Sequence, residues 1–204
     1  MNVERICSLR GRHPSILGHE EYFRSAVLLP LVMKDKQICI IFEKRADNIH
    51  QPGEVSFPGG RIDADDAGPE QAAVRETCEE LGLQLSDIEV IAPLDIMVSP
   101  FNVIVYPYLA QINSRRALCP NPDEVAEVFY VPLDFFLNYE PMRKSIYLTV
   151  GGASEDFPFE IIPQGKNYPF RKGVLPQFFY LWGDYVIWGL TARIINHFVG
   201  LIRN

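Results

Sequence analysis

Gly59-Gly60-Arg61, followed after a short acidic stretch by Arg75-Glu76-Thr77-Cys78-Glu79-Glu80-Leu81-Gly82-Leu83, decides how this chain folds. A helix advances about 100° per residue, so the spacing predicts a helix over 70–81 with Glu76 and Glu80 stacked and Glu79 beside them. Val74, Thr77, Cys78 and Leu81 fall on roughly the opposite side, facing a core. Pro69 suits the first turn, where an N–H has no helical partner anyway. Gly82 suits the left-handed position just past the last turn. Like charges four apart destabilise a helix by about 0.2–0.5 kcal/mol per pair. Three carboxylates on one turn beside a double glycine therefore point to a bound cation; the competing reading is a solvated acidic face.

Outward from that helix, Ser25–Met33 and Gln37–Phe42 are β-compatible runs around Lys34-Asp35-Lys36, which predicts a hairpin. Val55–Phe57 predicts a short strand entering Pro58-Gly59-Gly60. Further strands are expected over 88–98, 103–112 and 125–131, with a short helix over 132–138 and another, or a frayed end, over 2–10. A second hairpin is expected from 145–150 and 157–162 around Gly151-Gly152, then a loop over 163–177. Residues 178–202 are apolar enough to suggest a membrane span, but Asp184, Arg193 and His197 interrupt them, so a core-packing helix over 183–199 is expected instead. Strands and helices mix without regular alternation, which places the chain in the α+β class or a layered α/β/α sandwich.

Of the 204 residues, 48% are apolar and 22% charged, as in one ordinary globular domain over 1–204. A net charge of −7 and a pI near 5.1 exclude a general nucleic-acid binder, which needs a basic footprint. An acidic protein acting on an anionic substrate needs a metal or a local basic cluster. The scattered Cys7, Cys39, Cys78 and Cys119 lack zinc spacing and suggest no disulfides, which fits a reducing, cytoplasmic setting. The N-terminus lacks a signal-peptide layout, and Leu201-Ile202-Arg203-Asn204 is not a peroxisomal address. The aromatic C-terminal segment offers apolar surface either for a homodimer or simply for the core.

The stretch over 59–83 resembles the Nudix box, G-x5-E-x7-R-E-U-x-E-E-x-G-U, where U is aliphatic. Its second half is Arg75 to Leu83, with Thr77 at the first aliphatic position. Gly60 lies fifteen residues before Arg75, one more than the box allows, and Asp66 replaces its glutamate. That lengthening, with Asp63 and Asp66, resembles the coenzyme A diphosphatase branch. So does the upstream run Ile41-Phe42-Glu43-Lys44-Arg45-Ala46 with Gly53-Glu54-Val55-Ser56-Phe57-Pro58-Gly59-Gly60. Specific likeness is confined to 41–83, within a motif core of about 25–192.

The resemblance implies a Nudix-type α/β/α sandwich with a mixed β-sheet, and a small-molecule substrate. It implies Mg2+ or Mn2+ held by Glu76, Glu79, Glu80 and the Gly60 carbonyl. Hard oxygen ligands suit these ions, which neutralise a diphosphate and lower the pKa of bound water. The implied reaction is hydrolysis of coenzyme A or acyl-CoA to 3′,5′-ADP and 4′-phosphopantetheine. Arg75 is expected to hold the loop through Asp66. Glu124 is the favoured general base, with Glu127, Glu76 and Glu79 as alternatives. Arg45 and Arg61 are expected to meet phosphate beside Gly59 and Gly60. Lys166, Arg171 and Lys172 form a basic loop suited to a 3′-phosphate or simply to solvent. Phe101, Tyr106 and Tyr108 suit either adenine stacking or a core. Ala46 and Ile49 depart from the branch pattern and keep open ADP-ribose, a dinucleotide or a nucleoside triphosphate. A non-catalytic nucleotide sensor is the alternative of another class.

Overall fold

In the computed structural model, which describes residues 7–114 and 116–203, two long strands set the frame. Strand β1 (Phe23–Lys34) and strand β2 (Gln37–Arg45) form the expected hairpin, with Lys34 opposite Gln37 and Leu31 opposite Ile40. Asp35 and Lys36 have φ of 50° and 64°, the twist that a two-residue turn needs to match right-handed strands. The β1–β2 ladder stops at Leu31 and Ile40 and the strands splay apart. The segment over 55–61 fills the split. Its β3 (Val55–Ser56) pairs with Lys44 and Glu43 of β2, and its β4 (Gly59–Arg61) pairs with Val27 to Ser25 of β1. Strand β4 has too few side chains to announce itself in sequence. Gly59 crosses the split at φ 142°, and a Cβ there would lie 2.3 Å from the Ala26 carbonyl oxygen; only glycine fits.

The sheet continues from β1 through the parallel β7 (Val103–Ile112) to β5 (Ile88–Pro93) and β6 (Met97–Ser99), both antiparallel to β7. The single strand expected over 88–98 is thus two. Its break lies where the Leu94 N–H turns to donate to the Pro107 carbonyl. On the other side β8 (Val125–Pro132) pairs with β2. The result is an eight-stranded mixed sheet.

Helix α1 (Pro69–Leu81) covers one face, and α2 (Leu133–Asn138) and α3 (Gly189–Arg203) cover the other. Cys39 to Glu43 of β2 are all buried because both faces are covered. Ile40 and Phe42 join Phe136, Ile195 and Phe198 on the α2–α3 side, whereas Ile41 packs with Leu81 on the α1 side. Ala72 and Ala73 lie against Ala26, Leu28 and Ala110, and their small side chains let α1 approach the sheet closely. The Thr77 hydroxyl donates to the Ala73 carbonyl at 2.7 Å, so its burial leaves no orphaned polar group. Gly82 ends the helix at φ 66° as expected. Val74 and Cys78 are only half-buried. The inward face is rotated toward Ala73, Thr77 and Leu81, and this rotation carries Glu80 indoors.

The C-terminal third departs from expectation. The hairpin over 145–150 and 157–162 does not form; Phe159–Ile161 is a single 3-10 turn. Instead β9 (Met142–Leu148) pairs with β10 (Gly173–Trp182), which begins inside the stretch expected as loop. Pro176 stands opposite Ser145 within this ladder, and a proline masks a strand signal. After a turn at Gly183, β11 (Tyr185–Ile187) folds back on β10, so the last helix starts at Gly189 rather than 183 and runs to Arg203. The helix expected over 2–10 lies mostly outside the described residues, and 8–11 are turn. No helix among the described residues is long and apolar enough to cross a membrane.

Candidate active site

The last turns of α1 bring two of the expected carboxylates to the glycine bend. The Gly59 N–H donates to Glu80 Oε2 at 2.7 Å. A Cβ on Gly60 would lie 2.5 Å from the Glu76 carboxyl carbon, so the absence of a side chain there is what admits Glu76. Glu79 stands apart. Its side chain is 57% exposed and lies 3.5 Å from Arg75, outside the buried pair.

A third buried carboxylate takes part that the sequence did not single out. Glu43, on β2, is 1% exposed. The Ser56 hydroxyl donates to its Oε1 at 3.0 Å, and its Oε2 has no partner. The signal was a lone acid in the run Cys39-Ile40-Ile41-Phe42-Glu43. Glu124 completes the group. It precedes β8, its carbonyl accepts the Ala46 N–H, and the Asn121 amide donates to its Oε2 at 3.0 Å.

These carboxylates share one electrostatic field. Burial pushes the Glu80 carboxyl up, and the negative charge of Glu43 pushes it further, against the Gly59 hydrogen bond. Burial raises Glu43 too, opposed by Ser56 and Arg45 and reinforced by Glu124 and Glu76. Glu76 is raised mainly by burial, with Arg75 pulling it down. Such groups are costly as bare anions and favour either a proton or a cation.

Arg75 pins this arrangement. Its Nε and Nη2 donate to the two oxygens of Asp66 at 3.1 and 3.0 Å, Nη1 donates to Glu76 Oε1 at 2.9 Å, and Nη2 also reaches the Arg61 carbonyl. The hydrogen bonds from Arg75 hold the Asp66 carboxyl below the usual carboxylate range. The expected loop clamp is therefore present. Arg45 ends β2, with its Nε donating to the His50 carbonyl at 2.9 Å. Arg61 ends β4, exposed, with its guanidinium 6.0 Å from the Phe23 ring centre. Tyr106 and Tyr108 pack against the Ala26–Ala72 cluster, the core alternative, while Phe101 is exposed. Lys166 lies in the 3-10 turn Gly165–Asn167, and Arg171 and Lys172 are exposed nearby in sequence. Glu127 faces away from the carboxylates and accepts a hydrogen bond from the Tyr185 phenol at 2.5 Å.

The group fits a hard divalent ion. Its donors are all oxygens, Glu43 Oε2 is buried without a partner, and Gly60 leaves open the space that a Cβ would fill. Among the described residues no group of three or more His, Cys, Asp or Glu side chains is placed to hold an ion by itself. An ion held here would complete its shell with waters or phosphate oxygens, as hard divalent ions do.

The Nudix domain pattern matches residues 22–148, and the chain belongs to the Nudix family. Among its relatives, a peroxisomal coenzyme A diphosphatase of Mus musculus is 39% identical over 122 residues, 59% of this chain and 52% of that one. The mitochondrial Nudix hydrolase 15 of Arabidopsis thaliana is 33% identical over 178 residues, 84% of this chain and 56% of that one. An uncharacterized Nudix hydrolase, NudL, of Yersinia pestis is 30% identical over 190 residues, 90% of this chain and 84% of that one. The chain thus spans about half the length of the first two. A MutT/nudix family protein from Enterococcus faecalis shares the fold, with a TM-score of 0.52 at 17% identity over 100% of this chain and 70% of that one.

Proposed function

We propose that this protein hydrolyses the diphosphate linkage of coenzyme A or its acyl esters, yielding 3′,5′-ADP and the corresponding 4′-phosphopantetheine. One observation carries the chemistry: Glu80 is tied to the Gly59 N–H and Glu76 abuts Gly60, with Glu43 Oε2 left unpartnered beside them. The substrate is supported by the 39% identity to a coenzyme A diphosphatase. Glu76 and Glu80, with the Gly60 carbonyl and with Glu79 once its exposed side chain turns inward, would hold Mg2+ or Mn2+, which when bound supplies charge neutralisation and a more acidic water.

The chain's own groups do the rest. Arg75 fixes Glu76 and the connector, so the carboxylates keep their places as substrate arrives. Arg45 and Arg61 offer fork-shaped donors to the diphosphate oxygens. Glu124, beside the cluster, accepts the proton of the attacking water. Water adds across the P–O–P bridge, one phosphate taking its oxygen and the other leaving as an oxyanion. The four free thiols suit a reducing compartment such as the cytoplasm.

The test is a panel of coenzyme A, dephospho-coenzyme A and ADP-ribose with Mg2+ and with Mn2+, products identified by mass. Coenzyme A should be cleaved fastest, releasing 3′,5′-ADP. A clear preference for ADP-ribose would replace the substrate and keep the chemistry. Tight binding without any hydrolysis would make the protein a nucleotide sensor.

A further inference from the structure

We propose that a cavity on the opposite face of the sheet seats the pantetheine arm, so that the substrate bends over the end of β2. This rests on the coenzyme A reading above and extends it to the half of the substrate that carries no diphosphate. The cavity, of about 580 Å3, is walled by Lys44, Glu54 and Glu127 and by Asp184, Tyr185 and Trp188 of the C-terminal segment. Ligand sites commonly enclose about 300–1,000 Å3.

Its position follows from strand geometry. Successive side chains of a strand point to opposite faces. Glu43 faces the α1 side, so Lys44 faces the other, while Arg45 ends the strand at their common rim. Glu54 lies two residues before Ser56, the hydroxyl partner of Glu43. Glu127 lies three residues after Glu124. The cavity and the carboxylate cluster are thus the two sides of one sheet end.

Charge decides which part of the substrate enters. The lining holds three carboxylates against one ammonium, so phosphates are repelled and belong with Arg45 and Arg61. The aromatic walls are held in place. Tyr185 stacks on Phe129 with ring centres 3.7 Å apart, and Trp188 stacks on Phe179 at 6.0 Å. Trp188 is still 38% exposed. Rings offer faces to methyl and methylene groups, and carboxylates accept from amide N–H groups. A neutral chain of amides and methyl-bearing carbons has this chemistry, and pantetheine is that part of coenzyme A. Asp184, Tyr185 and Trp188 also lie outside the 22–148 match to the Nudix domain. This wall is therefore an addition to the shared machinery, placed where a substrate preference is set.

Kinetics of the full chain test the assignment. Trp188→Ala should raise KM for coenzyme A about tenfold, the scale for losing one aromatic anchor, with kcat within about twofold. Product inhibition by 4′-phosphopantetheine should weaken in parallel, and inhibition by 3′,5′-ADP should not change. An unchanged KM, or equal weakening of both inhibitors, overturns the proposal. A binding measurement needs neither that variant nor turnover. The chain has two tryptophans, so Trp182→Phe leaves Trp188 as the sole indole reporter. Pantetheine should change its emission saturably and 3′,5′-ADP should not; the reverse, or no response to pantetheine, sinks the idea. If wild-type protein leaves coenzyme A intact, the activity reading fails by itself, and the pantetheine titration still decides the cavity.

Discussion

Two groups of carboxylates lie at the same end of the sheet, on opposite faces, in opposite condition. On the α1 side Glu43 and Glu80 are 1% and 6% exposed, one oxygen has no partner, and burial raises both carboxyls. On the other side Glu127 and Asp184 are open to water, and Glu127 is matched by the Tyr185 phenol. The same residue types therefore differ in what they can do. Acidity in a sequence marks a site only where packing takes the carboxylates out of water and leaves an oxygen unpaired, because such a group must take up either a proton or a cation.

That contrast can be broken experimentally. Glu80→Gln should lower turnover at least about 100-fold, the scale for removing one group that offsets charge in the transition state; steady-state assays near the wild-type rate would place the chemistry elsewhere. Arg75→Lys keeps the charge but loses the fork, and should cost about 10–100-fold in activity or metal affinity, as for other groups that orient ligands. Gly59→Ala should destabilise the fold by about 1–3 kcal/mol, seen as a midpoint shift in denaturant, because its Cβ would meet the Ala26 carbonyl at 2.3 Å.

The pH dependence sharpens the comparison further. Glu80 is raised from 4.5 to about 9, chiefly by burial, so the metal-free folded protein holds a proton that the unfolded chain has released. Stability from this group is fully present below the ordinary carboxylate pKa and is lost as pH climbs toward 9. Melting scans without metal should show Tm falling across that window. Glu80→Gln should flatten the fall, and Mn2+ should oppose it, since ions bind the deprotonated carboxylates. Glu127→Gln, on the open face, should move stability by no more than about 0.5 kcal/mol. A large effect there would erase the distinction between the two groups.

Legibility in the sequence follows how local the determinants are. Helix α1 was readable because Pro69 and Gly82 set its ends within one turn, and its carboxylates are neighbours along the chain. The Arg75–Asp66 pair was readable because both partners fall within the same motif. Glu43 was not, since its isolation arises only when β3 closes on β2 and α1 delivers Glu80 from elsewhere. The β9–β10 ladder was not readable either. Its strands are separated by residues 149–172, and Pro176 sits in the pairing itself. The break between β5 and β6 depends on one carbonyl, at Pro107, on a different strand.

The Arg75–Asp66 clamp has a consequence for changing the length of this protein. The connector from Ile62 to Gly68 is fastened at Asp66, whose Oδ2 also accepts the Asp63 N–H at 2.9 Å; Asp66 keeps the family box's spacing from Gly60, so the extra residue falls between Asp66 and Arg75. Register between the bend and the helix is thus carried by a bolt that spans the added residue. Grafted sequence placed between Ala64 and Asp65, exposed at the tip of the Asp63–Asp66 turn, would loop outward, and the two carboxylates would keep their stations so long as Asp66 stays under Arg75.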